Sequence, residues 1–425
     1  MAKALVVAAP CSGSGKTLFT LGLLRAFRNR GLRVASAKVG PDYIDPRFHA
    51  AATGRPCFNL DPWAMGQPVI SSLVAGLARD SDILIIEGVM GLFDGPHGAS
   101  GSTADLAAAH GLPVILVVDA RHQSHSIAAL FHGFATYRPG LAVAGVIANR
   151  LASTRHGEIL RDALGKNLLG TLRHDDSLVW PSRHLGLVQA DENQKLEQFI
   201  EGAASAVARE TNLDTLLTIT SQAPDESVIR SCLPPLGQKI AVARDHAFGF
   251  AYEHLLHDWK AAGAEIISFS PLADEVPDPS ADAVFLPGGY PELYAGTLAT
   301  NTNFLTGIRK AKGLIYGECG GFMVMGDALI DGDGIAHAMA GLLPVTTSFA
   351  SRQLHLGYRQ LKPLSAAPWS TALRGHEFHY STIAAEGHAD RLFAATDAAG
   401  KALPPMGLRR GPVMGSYAHV ICEAP

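Results

Sequence analysis

The sequence predicts an α/β fold in which two series of strands and helices follow one another along the chain. Short apolar runs of strand length alternate with segments long enough for crossover helices. The alternation stops in an irregular stretch containing several Ser, Pro and Gly residues, at 221–237, and then resumes. We therefore predict a first domain over 1–220, a linker over 221–237 and a second domain over 238–425.

The first series predicts a doubly wound sheet, because its apolar runs are typical of buried parallel strands. In such a sheet, ligands gather beyond the carboxyl ends of the strands. The predicted strands of the first domain are 4–9, 33–39, 82–87, 113–119 and 142–148. Those of the second domain are 239–243, 265–269, 283–286 and 314–316, followed beyond 330 by mixed strands and loops.

The composition narrows the class of protein and its partners. Of 425 residues, 47% are hydrophobic and 17% charged, enough for two or three domains with cores. The net charge of −4 argues against a nucleic acid or an anionic membrane surface as partner, and an apolar run of about twenty residues, as a membrane span needs, is missing. Five cysteines without a Cys-x-x-Cys pair predict neither a disulfide framework nor a zinc cluster and favour a reducing cytoplasm. The apolar start is too short for a signal-peptide core and is interpreted as the first strand.

A glycine-rich loop follows the first predicted strand and precedes a segment compatible with a helix. In this context a loop ending in Lys-Thr turns backbone N–H groups toward phosphate oxygens, with the lysine on the outer phosphates and the threonine hydroxyl on Mg²⁺. The loop departs from the usual pattern, because Pro10 stands where a first glycine is expected. The residues predicted to bind the triphosphate of ATP are Ser12, Gly13, Ser14, Gly15, Lys16 and Thr17.

Four acidic residues follow the ends of two further strands: Asp42 and Asp45 after one, Glu87 and Asp94 after the other. An acid beside a phosphate loop suits a direct or indirect ligand of Mg²⁺. For each acid alone, the alternative is a carboxylate that caps a turn. Four of them together favour a phosphate and magnesium site, and we predict Thr17, Asp42 and Glu87 as the magnesium ligands.

The second domain carries the parts of a thiol nucleophile site. Gly288 and Gly289 end one predicted strand and suit an oxyanion hole, while Cys319 lies between glycines at the end of the next. His419 follows a Gly-Ser-Tyr-Ala turn and is predicted as the general base. Taken singly, a cysteine is more often a buried hydrophobe. The residue that orients His419 stays open between Glu423 and a backbone carbonyl, because position 421 is Ile.

An ATP site and a thiol nucleophile on one chain indicate a glutamine-dependent amide synthase. A carboxylate does not react with ammonia near neutral pH, because hydroxide is a poor leaving group, whereas an acyl phosphate has a good one. Free ammonia is mostly protonated at that pH, so its release from glutamine in a shielded site avoids loss to water. We therefore expect a passage for ammonia between the domains.

Seven motifs occur in one order over essentially the full length. They are the phosphate loop, KVGPDYIDP at 38–46, EGVMGLFDG at 87–95, RHLGL at 183–187, PGGYPE at 287–292, GECGGF at 317–322 and GHEFHYS at 375–381. This set resembles the a,c-diamide synthases of corrinoid biosynthesis. The resemblance implies a first domain similar to dethiobiotin synthetase and a second domain of the class I (triad) glutamine amidotransferases.

The resemblance also implies a reaction and residue roles. ATP, Mg²⁺ and glutamine would serve to amidate the a- and c-acetate carboxylates of cobyrinic or hydrogenobyrinic acid. Asp42, Asp45, Glu87 and Asp94 would surround the phosphates and the reacting carboxylate, with Asp45 and Asp94 in catalytic roles. Asn149 would contact adenine.

A polycarboxylate ring and a net acidic chain together require local basic groups for recognition. A surface charge without function is the alternative for each candidate. The residues predicted to contact the corrin polycarboxylate are Tyr43, Arg47, His49, Arg183, His184 and Arg352. We further expect a homodimer.

Two alternatives stay open. An amidase for nickel sirohydrochlorin would share the same plan. A partitioning-type switch ATPase fused to an inactive glutaminase is opposed by Cys11, where that class carries lysine, and by the presence of both Cys319 and His419. Metal binding by His376 and His379 is disfavoured, because His-Glu-x-His differs from the helical His-Glu-x-x-His spacing of zinc hydrolases.

Overall fold

A computed structural model describes residues 2–97, 100–183, 186–187, 189–192, 194–224 and 230–425, with the side chains of 182, 183, 186, 187 and 191 left out. The chain divides into two compact units, 1–230 and 231–425. In the described part, no helix has both the length and the apolar character that crossing a bilayer requires.

The first unit is built on a parallel sheet. Its strands are β1 Lys3–Ala8, β2 Val34–Val39, β3 Cys57–Leu60, β4 Ile83–Glu87, β5 Val114–Asp119, β6 Val143–Leu151, β7 Leu168–Arg173, β8 Ser182–Arg183, β9 Gly186–Leu187 and β10 Ser221–Gln222. Strands β3-β2-β4-β1-β5-β6-β7 lie side by side in that order, all parallel, so the order reverses around β1. This is the predicted doubly wound sheet, with the phosphate loop directly after the strand where the order reverses.

The helices of this unit include the crossovers between the parallel strands. They are α1 Lys16–Asn29, α2 Asp45–Thr53, α3 Gln67–Arg79, α4 Thr103–Ala109, α5 Ser126–Thr136, α6 Thr154–Leu164, α7 Leu196–Glu210 and α8 Leu213–Thr218. Strands β3 and β7 were not predicted, because β3 is only four residues long and β7 is mostly half-buried at the sheet edge.

Residues at both ends of the predicted linker over 221–237 pair or pack with other parts of the chain. At its start, β10 pairs antiparallel with β1, which makes Ser221 and Gln222 part of the first sheet. At its end, Cys232 and Leu233 are buried, and the indole N–H of Trp369 donates to the Pro234 carbonyl at 2.9 Å. The Ser and Pro residues of these segments correctly indicated irregular backbone. They could not indicate that neighbouring residues are buried, because burial depends on contacts with distant parts of the chain.

The second unit contains a mixed sheet and a small additional sheet. Its strands are β11 Lys239–Ala243, β12 Glu265–Phe269, β13 Ala283–Leu286, β14 Leu314–Glu318, β15 Ala328–Ile330, β16 Ala336–Ala338, β17 Val345–Ser348, β18 His355–Pro363, β19 Leu373–His379, β20 Thr382–Glu386, β21 Asp390–Thr396, β22 Ala402–Arg410, β23 Val413–Ser416 and β24 His419–Glu423. The main sheet has the order β12-β11-β13-β14-β23-β22-β21-β18-β19-β24, and the small sheet the order β16-β15-β17-β20.

Within the main sheet, the five consecutive strands β12-β11-β13-β14-β23 are parallel to one another. The pairs from β23 onward, through β22, β21, β18, β19 and β24, are antiparallel. The helices of this unit are α9 Glu253–Ala261, α10 Ala295–Thr300, α11 Thr302–Lys310 and α12 Gly320–Met325. A buried core includes Phe304, Phe322 and Met323. Two predicted catalytic residues lie at the ends of elements that pack in this unit: Cys319 at the β14–α12 junction and His419 at the start of β24.

Candidate active sites

The phosphate loop joins β1 to α1 and is held by residues at the end of β6. Gly13 and Gly15 have φ of 80° and 93°, which favours glycine at both positions. The Asn149 amide donates to the Ser14 carbonyl at 2.8 Å, and Arg150 donates to the Gly13 carbonyl at 2.7 Å. Two loop carbonyls are thus fixed by side chains of β6, which is separated from β1 by β5 in the sheet. The predicted contact of Asn149 with adenine stays a prediction.

A group of five side chains lies at the loop, and we name Thr17, Lys38, Asp45, His49 and Glu87 the phosphate-loop cluster. Thr17 is half-buried, and the other four are buried. The Thr17 hydroxyl lies 2.8 Å from Glu87 Oε1 and 3.3 Å from Asp45 Oδ2. Lys38 Nζ donates to the same two oxygens at 2.9 and 2.6 Å. His49 Nε2 lies 2.7 Å from Glu87 Oε2. Lys38 was not among the predicted site residues.

The charges of the phosphate-loop cluster compensate one another. Burial alone would lower the pKa of Lys38, but Asp45 and Glu87 outweigh it and raise that pKa. Burial alone would raise the pKa of Glu87, but Lys38 and His49 lower it. His49 has its pKa raised to about 10 by Cys57 and then Glu87, against the effect of burial. For Asp45, burial and then the charge of Asp42 prevail over Lys38 and raise the pKa to about 6.

The four acids predicted at the strand ends separate into two kinds. Asp45 and Glu87 bind Thr17 and Lys38, as described. Asp42 Oδ1 accepts from the N–H groups of Ile44 and Asp45 at 2.8 and 3.1 Å, at the entry to α2. Asp94 Oδ2 accepts from the Gly91 N–H at 2.8 Å. These two carboxylates cap turns, and the predicted roles of Asp42 as a magnesium ligand and of Asp94 in catalysis stay predictions.

The phosphate-loop cluster fits Mg²⁺. The hydroxyl of Thr17 and carboxylate oxygens of Asp45 and Glu87 converge within hydrogen-bond distance of one another, and such oxygens are the ligands that Mg²⁺ takes in nucleotide sites. Lys16 Nζ donates to the Met90 carbonyl at 2.9 Å, and burial followed by the charge of Lys38 lowers its pKa.

The basic residues predicted for substrate recognition have different surroundings. His49 is fully buried, and its two ring nitrogens face Glu87 and Cys57, the latter at 3.5 Å. This corrects the expectation that His49 faces the substrate. Arg47 is half-buried and Arg352 is exposed in the second unit.

Three further residues belong to the same prediction. Tyr43 is 8% exposed. The backbone of Arg183 forms part of β8, but its side chain lies outside the described residues, as does all of His184. Their contact with the corrin polycarboxylate stays a prediction.

Cys319 occupies a sharp turn between β14 and α12. Its φ of 46° is rare for a residue with a side chain. The Cys319 N–H donates to the Ser416 carbonyl on β23 at 2.8 Å. A Cβ on Gly320 would lie 3.0 Å from the Gly289 nitrogen, and one on Gly321 would clash with the Leu286 carbonyl. Glycines therefore flank the cysteine because the backbone of the preceding strand approaches closely.

The structure brings Gly288, Cys319 and His419 together. A Cβ on Gly288 would clash with Cε1 of His419 and would lie 2.9 Å from its Nε2 and 3.2 Å from Cβ of Cys319. The Cε1–Nε2 edge of the imidazole therefore faces the predicted oxyanion loop, next to which Cβ of Cys319 also lies. Both side chains are almost fully buried.

Burial dominates the electrostatics of this second site. It raises the pKa of the Cys319 thiol and lowers the pKa of His419 to about 3, with His376 and His379 acting in the same direction. It also raises the pKa of Glu318 to about 8, although the Val420 N–H and Tyr316 act against it. The neutral thiol and the neutral imidazole are thus the favoured forms without substrate.

Of the two candidates from the sequence, Glu423 is not the carboxyl nearest His419, whereas a backbone group, that of Phe250, acts on His419 and raises its pKa against the effect of burial. Glu423 Oε1 accepts from the Thr371 hydroxyl at 3.0 Å. Instead, Glu318 Oε2 lies 3.9 Å from His419 Nδ1. The sequence showed Glu318 only as the neighbour of the nucleophile, and its approach to His419 depends on the packing of β14 against the end of the chain.

A third group, next to Tyr417, consists of His355, Glu377 and His379, with possible ligand atoms within 4.8 Å of one another. His379 Nε2 lies 2.8 Å from Glu377 Oε1, its Nδ1 lies 3.0 Å from the Ser381 carbonyl, and its ring stacks on Tyr417. Glu377 also accepts from Arg359 at 2.7 Å. Protein groups therefore supply the partners of this network.

Two family models match the chain, one for each unit. The CobQ/CobB/MinD/ParA nucleotide binding domain matches residues 5–188. The CobB/CobQ-like glutamine amidotransferase domain matches residues 239–425. The predicted two-part architecture is confirmed.

Curated relatives match over nearly the full length. Hydrogenobyrinate a,c-diamide synthases from Sinorhizobium sp and Rhizobium meliloti are 54% and 53% identical, each over 98% of both chains. The protein of the same name from Rhodobacter capsulatus is 49% identical over 99% of this chain and 98% of the relative. The family predicted from the motifs is confirmed, and the chain belongs to the hydrogenobyrinate a,c-diamide synthases.

Proposed function

We propose that this protein uses ATP and glutamine to convert the a- and c-acetate carboxylates of hydrogenobyrinate to amides. The observation that carries the proposal is the presence on one chain of a phosphate loop with a carboxylate cluster and a buried Cys-His pair beside a Gly-Gly loop. The names of relatives at 53–54% identity supply the substrate.

In the first unit, Lys16 and the loop amides would bind the ATP phosphates, and Thr17, Asp45 and Glu87 would hold Mg²⁺. The ion would neutralise phosphate charge when bound. An acetate oxygen of the substrate attacks the γ-phosphorus and ADP leaves, which gives an acyl phosphate. Ammonia then attacks the acyl carbon, phosphate leaves, and loss of a proton completes the amide. Lys38 holds the two carboxylates in place through its contacts with both.

In the second unit, the Cys319 sulfur attacks the side-chain carbonyl of glutamine as its proton passes to His419 Nε2. Backbone N–H groups of the Gly288-Gly289 loop would stabilise the resulting oxyanion. Return of the proton to the leaving nitrogen releases ammonia and leaves a glutamyl thioester. Water, deprotonated by His419, then hydrolyses the thioester to glutamate and restores the thiol.

The substrate is a polycarboxylate, so its recognition needs cationic groups near the phosphate-loop cluster. Arg47 follows Asp45 and Pro46 at the start of α2 and is the described candidate nearest the cluster in sequence. Tyr43, Arg183, His184 and Arg352 complete the proposed set. Asn149 is proposed to contact adenine through the segment that already supports the phosphate loop.

The test is incubation of the purified protein with ATP, Mg²⁺ and glutamine and with one macrocycle at a time. Hydrogenobyrinic acid, cobyrinic acid and nickel sirohydrochlorin serve as the three substrates, and mass spectrometry counts the carboxyl-to-amide conversions. We expect two conversions of hydrogenobyrinic acid. Preferential turnover of either metal-containing ring would reassign the substrate, and ATP hydrolysis without amide formation from any ring would contradict the proposal.

A further inference from the structure

We propose that Glu318 is the positioning residue of His419, the group that orients the imidazole during glutamine hydrolysis. This inference rests on the proposed glutaminase activity of the second unit. It assigns a function to a carboxyl that the motif analysis passed over, because the position two residues after His419, where a partner was sought first, is occupied by Ile421.

The first argument is the orientation of the imidazole between two neighbours. Its Nε2 and Cε1 edge faces Gly288, next to which Cβ of Cys319 also lies, while Nδ1 lies 3.9 Å from Glu318 Oε2. A general base that works through Nε2 needs its Nδ1 hydrogen on the opposite side, where an acceptor can hold it. Glu318 presents a carboxylate oxygen on that side.

The second argument is that the carboxyl of Glu318 is itself held in place. Its Oε1 accepts from the Tyr316 hydroxyl at 3.2 Å and from the Val420 N–H at 3.0 Å. Tyr316 in turn packs against the rings of Phe285 and Trp369. With Oε1 engaged by two donors, Oε2 is the oxygen turned toward His419. The carboxyl is almost fully buried, so water competes little for it.

The third argument concerns the proton during the reaction. When the thiol proton moves to Nε2, the imidazole becomes a cation in a site where burial lowers the pKa of His419 to about 3. In its ionised form Glu318 stabilises that cation and accepts the Nδ1 hydrogen, and because burial raises the pKa of this carboxyl to about 8, the ionised fraction grows with pH. The separation of 3.9 Å is longer than a hydrogen bond, and such contacts often shorten only when substrate is bound.

The test compares three single variants with the parent enzyme. In Glu318→Gln the amide oxygen replaces Oε1 as acceptor for Tyr316 and Val420, which turns the NH₂ group toward Nδ1. Nδ1 must then accept, the ring proton moves to Nε2, and the base is blocked. Glu318→Asp keeps an ionisable group. Glu423→Gln is the matched control, because its carboxyl pairs with Thr371 instead.

We expect Glu318→Gln to lower kcat for glutamine hydrolysis by at least about tenfold, part of the roughly 10²–10⁴-fold contribution of a positioned base. The KM for glutamine should change by less than about twofold and ammonium-driven synthesis should be unchanged, because neither depends on the proton transfer. Glu318→Asp should fall between parent and Gln variant, and Glu423→Gln should match the parent.

Parental kcat in Glu318→Gln would overturn the assignment, and so would a Gln variant more active than the Asp variant. A purely structural role would favour Gln, which has the shape of Glu, over Asp, which is shorter but keeps the carboxylate. If Glu318→Gln does not fold, the Asp variant decides alone: parental kcat, or a loss confined to the KM for glutamine, contradicts the proposal. Failure of the proposed function has a separate signature, because the parent enzyme itself would then release no glutamate from glutamine.

Discussion

The two candidate active sites differ in the protonation states that they favour for their buried ionisable groups. The phosphate-loop cluster keeps Lys38, His49 and Glu87 charged, because the two cations surround Glu87 closely enough to outweigh the effect of burial. Around Cys319, burial outweighs every partner, and the thiol, His419 and Glu318 all shift toward their neutral forms. The proposed magnesium and phosphate site needs permanent charge, whereas the proposed thiol nucleophile does not need it before substrate binds.

This difference predicts different consequences of substitution. Removing one member of a compensated buried set leaves an unpaired charge and destabilises the fold. Removing one member of a neutral set affects chemistry more than stability. The predictions on Cys319, Glu87 and His49 test this contrast, and the prediction on Arg47 tests the proposed substrate pocket.

The largest expected effect is that of Cys319→Ala on glutamine-driven synthesis, which should disappear because no other group can form the thioester. Synthesis with a high concentration of ammonium should continue, because the acyl phosphate forms in the other unit. Amide product is measured with each nitrogen source. A folded variant that loses both activities would contradict separate sites.

Glu87→Gln should lower amide synthesis equally with glutamine and with ammonium. The reason is that the carboxylate is proposed to hold Mg²⁺ and is bound by Thr17, Lys38 and His49. We also expect a loss of about 3–5 kcal/mol in the free energy of unfolding, since two buried cations lose their partner. Denaturant unfolding measures the second effect. Asp94→Asn, whose carboxylate caps a turn, is the control and should lose about 1 kcal/mol or less. Equal stability of the Glu87 variant and the parent would refute charge compensation.

His49→Gln should change how stability depends on pH. The pKa of His49 is raised from 6.5 to about 10 in the folded protein, so its stabilising contribution is complete below pH 6.5 and is lost as the pH rises toward 10. The variant should therefore show a flatter decline across that interval. The free energy of unfolding is measured at several pH values.

The control for this experiment is His254→Gln. Burial lowers the pKa of His254 to about 4, so this residue destabilises the fold only as the pH falls below 6.5. Its substitution should leave the interval from 6.5 to 10 unchanged. If the two variants have the same slope in that interval, His49 is not charged in the folded protein.

The smallest expected effect is that of Arg47→Ala on macrocycle binding. Loss of one charge-assisted hydrogen bond, about 1.4 kcal/mol or more, should raise the KM for hydrogenobyrinate roughly tenfold. Glutamine hydrolysis should stay at the parental rate. Arg33→Ala removes an exposed partner of Asp82 and is the control for a general change of charge. Unchanged KM at low salt would place the substrate pocket elsewhere.

The sequence predicted best those features that depend on local spacing. The phosphate loop, the strands around it, and the glycines beside Cys319 follow from neighbouring residues. The four acids looked equivalent in sequence, because each followed a strand. Asp45 and Glu87 separate from Asp42 and Asp94 only when β2 and β4 lie side by side.

Lys38, Arg150 and Glu318 were missed for a related reason. Each lies in or directly after a strand, and each acts on a residue that is distant in sequence. His49 was assigned to the substrate as a basic residue near a turn, but the face of α2 that carries it packs against Glu87. Pairings across a sheet leave no fixed spacing in the chain.

The positive φ of Cys319 stores backbone strain of about 1–3 kcal/mol in the folded enzyme. Alanine at this position inherits that strain, whereas glycine relieves it. Of two variants that both lack the thiol, the glycine one should therefore be the more robust to heat. The proposed nucleophile is thus a position at which the backbone conformation lowers stability in favour of function. The difference in melting temperature between the alanine and glycine variants, recorded without substrate, measures this cost.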